Sequence, residues 1–319
     1  MMRSILLPRG SSRALPILCG LWVATVLGLL VLKPGALSAA TVTTVLQFST
    51  LLAIVGLGQS LVILCGGAGI DLSVGGIASL SACFAMLAYR AGLPAILLPP
   101  AAIGAGAVLG WFNGLMVTRL RILPLIVTLG TFYVYSGSAV AVTGGAALGG
   151  VPSWLIPWGR GTLGSVPLPF LTTAVPSFAI AAVLLATTSW GRWVYALGFD
   201  ERSARLVGIA VDRIRILAYV ASGALSGLAA LVSLAWLGSA RPDIGQNLEL
   251  TSLTAAMLGG IGIFGGRGGV LGVLAAVLLL VTLQTGLLQL NINSIWQVGI
   301  IGALLIAVLL ADRFAPRRT

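Results

Sequence analysis

"VTTVLQFSTLLAIVGLGQSLVILCG", residues 42–66, contains no Asp, Glu, Lys or Arg. A helix needs about 20 mostly apolar residues to cross the hydrocarbon core of a bilayer, and this run exceeds that length. The rest of the chain is similar, because 58% of its 319 residues are hydrophobic and 8% are charged, against about a quarter charged in an average soluble domain. Helices satisfy their own backbone hydrogen bonds, which lipid cannot do. We therefore predict an all-α polytopic membrane protein.

Breaks in the apolar pattern predict about ten transmembrane helices in a single transmembrane domain, residues 1–319. The predicted spans are 14–32, 42–66, 72–89, 94–118, 122–143, 170–190, 216–237, 250–266, 270–290 and 294–311. The first span could instead be a signal peptide. We favour an uncleaved span, because its apolar run is longer than a typical signal-peptide core and Lys33-Pro34 interrupts the chain before a small-residue cleavage site.

The basic residues predict the orientation. With the N-terminus inside, 14 of the 18 Lys and Arg residues fall on the cytoplasmic side, as the positive-inside rule requires. This asymmetry also explains the net charge of +11 without nucleic-acid binding. Both termini are therefore predicted to be cytoplasmic, with the segment 191–215 on the same side and the Gly- and Pro-rich loop 144–169 outside.

Several kinds of chemistry are excluded by composition. The chain has no His, which rules out Ser-His catalysis and His-ligated metal sites. Its one lysine, Lys33, follows Leu32, so no Walker A Gly-Lys exists and ATP cannot bind through a P-loop. Gly260, Gly262 and Gly265 match a dinucleotide-binding spacing, but no strand leads into them. No cofactor is expected on this chain.

Glycines recur at a spacing that suits helix packing. Gly106, Gly110 and Gly114 repeat every four residues in one predicted span, and Gly223 and Gly227 do so in another. Such spacing lets two helix backbones approach closely in lipid.

An acidic residue interrupts the apolar pattern in "GGAGIDLSVGG", residues 66–76. Asp71 could cap a helix that begins near Leu72. It could also mark a broken helix beside a translocation path, where embedded acids are usually functional. Other polar residues within spans could line the path or only bond helix to helix. The candidate path residues are Gln59, Asp71, Ser73, Asn113, Thr128 and Thr131.

Charge is concentrated in "GFDERSARLVGIAVDRIRI", residues 198–216. Asp200 can cap a short helix, Glu201 and Arg205 form an i,i+4 pair, and Gly208 can end the helix. Ala204 and Val207 are predicted to form its apolar face. The alternative is a solvated loop, which explains the arginines but not a capped helix between glycines.

Five segments, in this order, resemble the permease subunits of sugar ABC importers of the ribose, xylose and arabinose type. They are "GIDLSVG" (69–75), "LPLIVTLGT" (123–131), "GRWVYALGFDERSARLVGIAVDR" (191–213), "LGGIGIFGGRGGVLG" (258–272) and "LLAD" (309–312). The related branched-chain amino acid permeases usually differ at 71–75, which favours a sugar. This chain departs from the sugar importer permeases at two positions. Asp200 stands where those permeases usually have Asn, and Thr251 stands where Asp is common in them.

The resemblance implies a transport subunit rather than an enzyme, in the bacterial plasma membrane, with a fold similar to that of the vitamin B12-type importers. The implied partners are a second permease copy, identical or related, cytoplasmic ABC ATPase subunits that use ATP and Mg, and an external sugar-binding protein. It also implies that segment 191–215 couples the permease to the ATPase. The coupling residues are Gly198, Asp200, Glu201, Arg202, Ala204, Arg205, Val207 and Gly208. The alternative is a secondary, ion-coupled transporter that uses Asp71, although one embedded carboxylate without His gives an incomplete proton relay.

Overall fold

Helices make up most of the residues that the computed structural model describes, which are 14–36, 38–293, 295–297, 299–300, 302–303 and 306. Within these ranges the helices are α1 (Ala14–Leu32), α2 (Ala39–Leu64), α3 (Val74–Arg90), α4 (Leu98–Thr118), α5 (Pro124–Thr143), α6 (Leu155–Arg160), α7 (Val175–Thr187), α8 (Ser189–Phe199), α9 (Glu201–Leu206), α10 (Val211–Leu237), α11 (Leu248–Leu258) and α12 (Val270–Gln289). A 3-10 turn, Ala95–Leu97, leads into α4, and a π turn, Phe170–Ala174, leads into α7.

Four two-residue strands form two short antiparallel pairs. Strand β1 (Leu148–Gly149) pairs with β4 (Ser239–Ala240), with Leu148 opposite Ala240. Strand β2 (Thr162–Leu163) pairs with β3 (Val166–Pro167). The first pair ties the long loop 144–169 to the C-terminal end of α10.

Seven helical segments in the described part of the chain are long and apolar enough to cross a membrane. They coincide with the predicted spans 14–32, 42–66, 94–118, 122–143, 170–190, 216–237 and 270–290. The prediction of a polytopic helical membrane protein is therefore confirmed.

Two of the predicted spans are shorter in the structure. Span 72–89 corresponds to α3, with 17 residues, and span 250–266 to α11, with 11 residues. An 11-residue helix is about 16 Å long, roughly half the thickness of the hydrocarbon core. Helix α11 ends at Leu258 because the glycine-rich chain that follows leaves helical geometry, with φ of 90° at Gly260 and 87° at Gly265. Most of the predicted span 294–311 lies outside the described residues.

Helix α4 packs against α10 through glycines on both helices. A Cβ added at Gly106 would overlap the carbonyl oxygen of Gly223, and one added at Gly110 would overlap that of Tyr219. A Cβ at Gly227 would meet the backbone of α4 in the same way. The predicted packing role of these glycines is confirmed, and the structure shows that the two helices are each other's partners. This packing places α10 in the interior, where it also contacts α2 and α3.

Candidate translocation and coupling sites

The chain bends sharply between α2 and α3. Gly66, Gly67 and Ala68 follow each other in the left-handed region, with φ of 69°, 65° and 53°. Two of the three are glycines, which adopt this geometry without the steric cost that a side chain brings. The bend separates the two helices and brings Asp71 into the interior of the protein.

Asp71 is fully buried and accepts three hydrogen bonds. Its Oδ1 accepts from the backbone N–H of Ser73 at 3.1 Å and from the Ser73 hydroxyl, and its Oδ2 accepts from the Ser222 hydroxyl of α10 at 2.9 Å. Asn113 of α4 donates to Ser73 Oγ at 2.7 Å, and Tyr135 of α5 donates to Asn113 Oδ1 at 3.0 Å. These five residues, which we call the Asp71 network, join the helix break to α4, α5 and α10.

The predicted capping role of Asp71 differs in position. Helix α3 begins at Val74 rather than near Leu72, and its N-cap residue is Ser73, whose side chain makes no capping hydrogen bond. Asp71 instead closes the turn before the helix by accepting from the Ser73 amide. One carboxylate oxygen of Asp71 bonds Ser73 and the other bonds Ser222, so the side chain ties this turn to α10.

Two further candidate residues hold the backbone around Asp71. With its amide oriented so that both groups bond, Gln59 of α2 donates to the Asp71 carbonyl at 2.8 Å and accepts from the Asp71 amide at 3.3 Å. Thr128 of α5 donates to the Ile70 carbonyl at 3.1 Å. Thr131 bonds only within α5. Five of the six candidate path residues therefore meet around one backbone turn.

Sequence reasoning missed Ser222 and Tyr135. Ser222 lies 151 positions after Asp71 along the chain, and neither residue stands out from the many small or aromatic side chains in apolar spans. Ser222 faces Asp71 because of the register in which Gly106 and Gly110 of α4 pack against α10. This register depends on the tertiary structure, so the sequence alone does not reveal it.

The six candidate path residues are closed off from solvent in this conformation. The most exposed of the six candidate path residues is Thr131, at 8%. A network this buried joins the helix break to α4, α5 and α10 in this conformation.

The predicted short helix in the charged segment is confirmed as α9. Asp200 is its N-cap and accepts from the Arg202 amide at 3.0 Å and from the Ser203 hydroxyl. These hydrogen bonds, first that of Ser203 and then that of Arg202, hold the pKa of Asp200 below its usual value. The predicted Glu201–Arg205 ion pair is present at 2.9 Å.

Ion pairs also join α9 to the first turn of α10. Arg215 lies 2.8 Å from Glu201, and Arg205 lies 2.7 Å from Asp212. Partial burial opposes ionisation of Glu201, but the hydrogen bonds and positive charges of Arg215 and Arg205 outweigh it and lower its pKa. The bonds from Asp212 and Glu201 raise the pKa of Arg205. Glu201 and Arg205 thus hold α9 on α10 through ion pairs within the chain.

Ala204 and Val207 are predicted to share one apolar face of the helix, and this prediction is wrong for Ala204. Ala204 is buried and packs in the protein's own core, whereas Leu206 and Val207 are exposed. Helix α9 ends at Leu206, and Gly208 follows with φ of 83°. Helical spacing therefore does not extend to Val207, and the two residues face different surroundings.

A cavity of about 410 Å³ lies between α9, the start of α10 and the α4–α5 connection. It begins one helical turn from Asn113 and Thr128, at Val117 and Pro124. Its lining residues are Gly67, Val117, Thr118, Arg121, Ile122, Leu123, Pro124, Glu201, Arg205, Asp212 and Arg215. In the residues that the structure describes, no three His, Cys, Asp or Glu side chains cluster as they would to bind a metal ion.

Apolar spans, an interior helix break and a capped charged helix outside the spans define a polytopic membrane protein of the permease class. Residues 41–309 match the family described as "Branched-chain amino acid transport system / permease component". The chain belongs to this family of transport permeases.

Curated relatives are import permeases from bacteria. The chain is 34% identical over 285 residues to the ribose import permease protein RbsC of Bacillus subtilis (strain 168), covering 89% of this chain and 88% of the relative. It is 36% identical over 311 residues to the autoinducer 2 import system permease protein LsrD of Klebsiella pneumoniae, covering 93% of each. It is 34% identical over 285 residues to the fructose import permease protein FrcC of Rhizobium meliloti, covering 87% of this chain and 79% of the relative. No solved structure matches the chain. The resemblance to sugar import permeases is confirmed.

Proposed function

We propose that this chain is the transmembrane permease of an ATP-binding cassette importer and forms the translocation path for a monosaccharide. The single observation that carries the proposal is α9, a capped helix tied by ion pairs to α10 and presenting exposed apolar side chains outside the spans. A chain without a P-loop must receive ATP energy by contact, and α9 offers that contact.

The substrate class follows from the relatives. Two of them are named for ribose and fructose import. We infer that the external binding protein of this system delivers a sugar to the face that carries loop 144–169. The partners proposed are that binding protein, cytoplasmic ABC ATPase subunits that use ATP and Mg, and a second permease copy in an arrangement like that of the vitamin B12-type importers. We propose that the protein lies in the bacterial plasma membrane with both termini in the cytoplasm.

The six candidate path residues, including Gln59 and Asp71, are proposed to form the wall of the path at the helix break. Their hydrogen bonds close the interior in this conformation, and separation of α3 from α10 would open it. The cavity between α9 and the α4–α5 connection lies next to this wall and provides room for the solute to leave.

The coupling residues of α9 divide into two groups by their contacts. Asp200, Glu201, Ala204 and Arg205 hold the helix on the permease. Val207 and its neighbour Leu206 remain exposed for the ATPase.

The proposal is tested by purifying the chain from its native membrane and identifying what accompanies it. We expect an ATP-hydrolysing subunit in a fixed ratio to the permease, with sugar uptake into vesicles that requires ATP and the binding protein. A secondary transporter would give uptake that persists without ATP and collapses when an ionophore dissipates the ion gradient. One embedded carboxylate in a chain without His argues against that alternative, because proton coupling needs a relay of ionisable groups.

A further inference from the structure

Four large apolar side chains are exposed around α9 on the predicted cytoplasmic side. Phe199 is 79% exposed, Leu206 81%, Val207 76% and Phe264 71%. The first three belong to segment 191–215, but Phe264 lies in the glycine-rich loop 259–269 that follows α11. We call these four residues the α9 patch.

Close backbone packing places the loop of Phe264 beside α9. A Cβ added at Gly266 would lie 2.7 Å from the Phe199 nitrogen. One added at Gly66 would lie 2.9 Å from the Gly198 Cα and 3.0 Å from the Phe264 carbonyl oxygen. Three segments distant in sequence therefore meet at the junction of α8 and α9, and side chains larger than hydrogen at these glycines would separate them.

The charges next to the α9 patch favour a position in water rather than in lipid. Helix α10 has 27 residues, so it is about 40 Å long and extends beyond a hydrocarbon core of about 30 Å. Its first turns carry Asp212, Arg213 and Arg215, whose charges lie outside that core. Helix α9 precedes these charges in the chain and is bonded to them. Exposed apolar residues in water mark a surface for a protein partner.

The rim of the α9 patch is basic. Arg202, Arg213 and Arg267 are exposed in the segments that carry the patch, against one exposed carboxylate outside the ion pairs, that of Asp200. An apolar centre with a charged rim is the usual anatomy of a protein interface, and the rim sets specificity and association rate. A partner with an apolar cleft and an acidic rim fits this surface.

We propose that the ATPase docks on a composite surface made of α9 and the loop 259–269, with Phe264 as a second anchor beside Leu206 and Val207. This inference rests on the proposed function, since it names where the ATPase of that importer binds. The packing at Gly66 connects this surface to the interior. The loop of Phe264 contacts the bend that leads to Asp71. A partner that docks on Phe264 therefore touches a loop that packs directly against the helix break.

The test compares two substitutions of equal chemistry at residues of similar exposure. Phe264→Asp removes the proposed anchor, and Leu163→Asp changes a 69% exposed residue in loop 144–169 as the control. Binding of the ATPase chain that accompanies the wild-type permease is measured on purified permease in nanodiscs. Because burial of a Phe side chain contributes about 1.5–3 kcal/mol, we expect binding at least about tenfold weaker for Phe264→Asp and unchanged for Leu163→Asp. Phe264→Ala should lower the affinity in the same direction and keep the wild-type melting temperature.

Each alternative outcome contradicts a different statement. Equal binding of the ATPase by wild type, Phe264→Asp and Phe264→Ala, together with loss in Leu206→Asp, would overturn the composite surface and leave the proposed function standing. If no ATPase accompanies the wild-type permease, both the composite surface and the proposed function are contradicted.

A membrane-surface role for Phe264 is tested separately. A dye attached at Phe264→Cys, in a background without the native cysteines, would be quenched by brominated lipid if the patch lay in the bilayer. Quenching that the ATPase does not relieve would overturn the docking surface. Protection of the dye by the ATPase, and not by lipid, supports it.

Discussion

Replacing Asp71 with leucine removes the acceptor of three hydrogen bonds at a site without exposed surface. The Ser222 hydroxyl, the Ser73 hydroxyl and the Ser73 amide all lose the oxygen to which they donate. Asp71→Asn changes much less, because its remaining oxygen can accept from Ser73 while the Ser222 hydroxyl can accept from its new amide group.

The size of the effect follows from these bonds. A buried donor without a partner costs about 1–3 kcal/mol, so three such donors cost about 3–9 kcal/mol. With a shift of about 2–4 °C per kcal/mol for a protein of 150–250 residues, Asp71→Leu should lower the melting temperature by on the order of 10 °C. We expect Asp71→Asn to lower it by a few degrees at most and to transport weakly, and Asp71→Leu to lose transport more completely.

The assay uses the protein's own thiols. Cys65 and Cys83 are free and buried, whereas Cys19 is exposed, so in a Cys19→Ser background a thiol-reactive dye reports unfolding of the detergent-solubilised permease as temperature rises. Ser81→Ala is the matched control, because the Ser81 hydroxyl is equally buried and has no partner among the described residues. The reasoning is refuted if Asp71→Leu melts with the wild type and transports ribose or fructose at the wild-type rate.

Three further predictions concern orientation, charge and packing. In a background without the native cysteines, an impermeant external reagent should label Leu163→Cys and not Ser203→Cys; labelling of both from outside would contradict the ten-span orientation. The lowered pKa of Glu201 stabilises the fold above the ordinary carboxyl pKa of about 4.3, and this contribution disappears as pH falls through the lower folded value. Melting curves should therefore show that the wild type loses more stability on acidification than Glu201→Gln, and equal slopes would count against the ion pairs. Gly110→Val should lower the melting temperature, because its Cβ would overlap the backbone of α10, whereas Gly130→Val in α5 has open space and should not; a similar effect at both positions would rule out close packing as the cause.

Local features of the fold and of α9 could be predicted from the sequence. The length of an apolar run decides whether it can span a membrane, and seven predicted spans are present. The four-residue glycine spacing predicted that these spans pack closely against other helices, and α4 and α10 do so against each other. The cap at Asp200 and the Glu201–Arg205 pair depend on residues within one or two turns, so they too were predictable.

The sequence by itself therefore determined the class of protein, its apolar spans and its charged helix, because each depends on neighbours a few positions apart. Only the tertiary structure decided that Ser222 reaches Asp71, that Ala204 turns into the core and that Phe264 stands beside Phe199. Those outcomes depend on how helices distant in sequence are set against one another. Packing register of this kind is not encoded in any single stretch, since it results from the combined shapes of all the surfaces that meet.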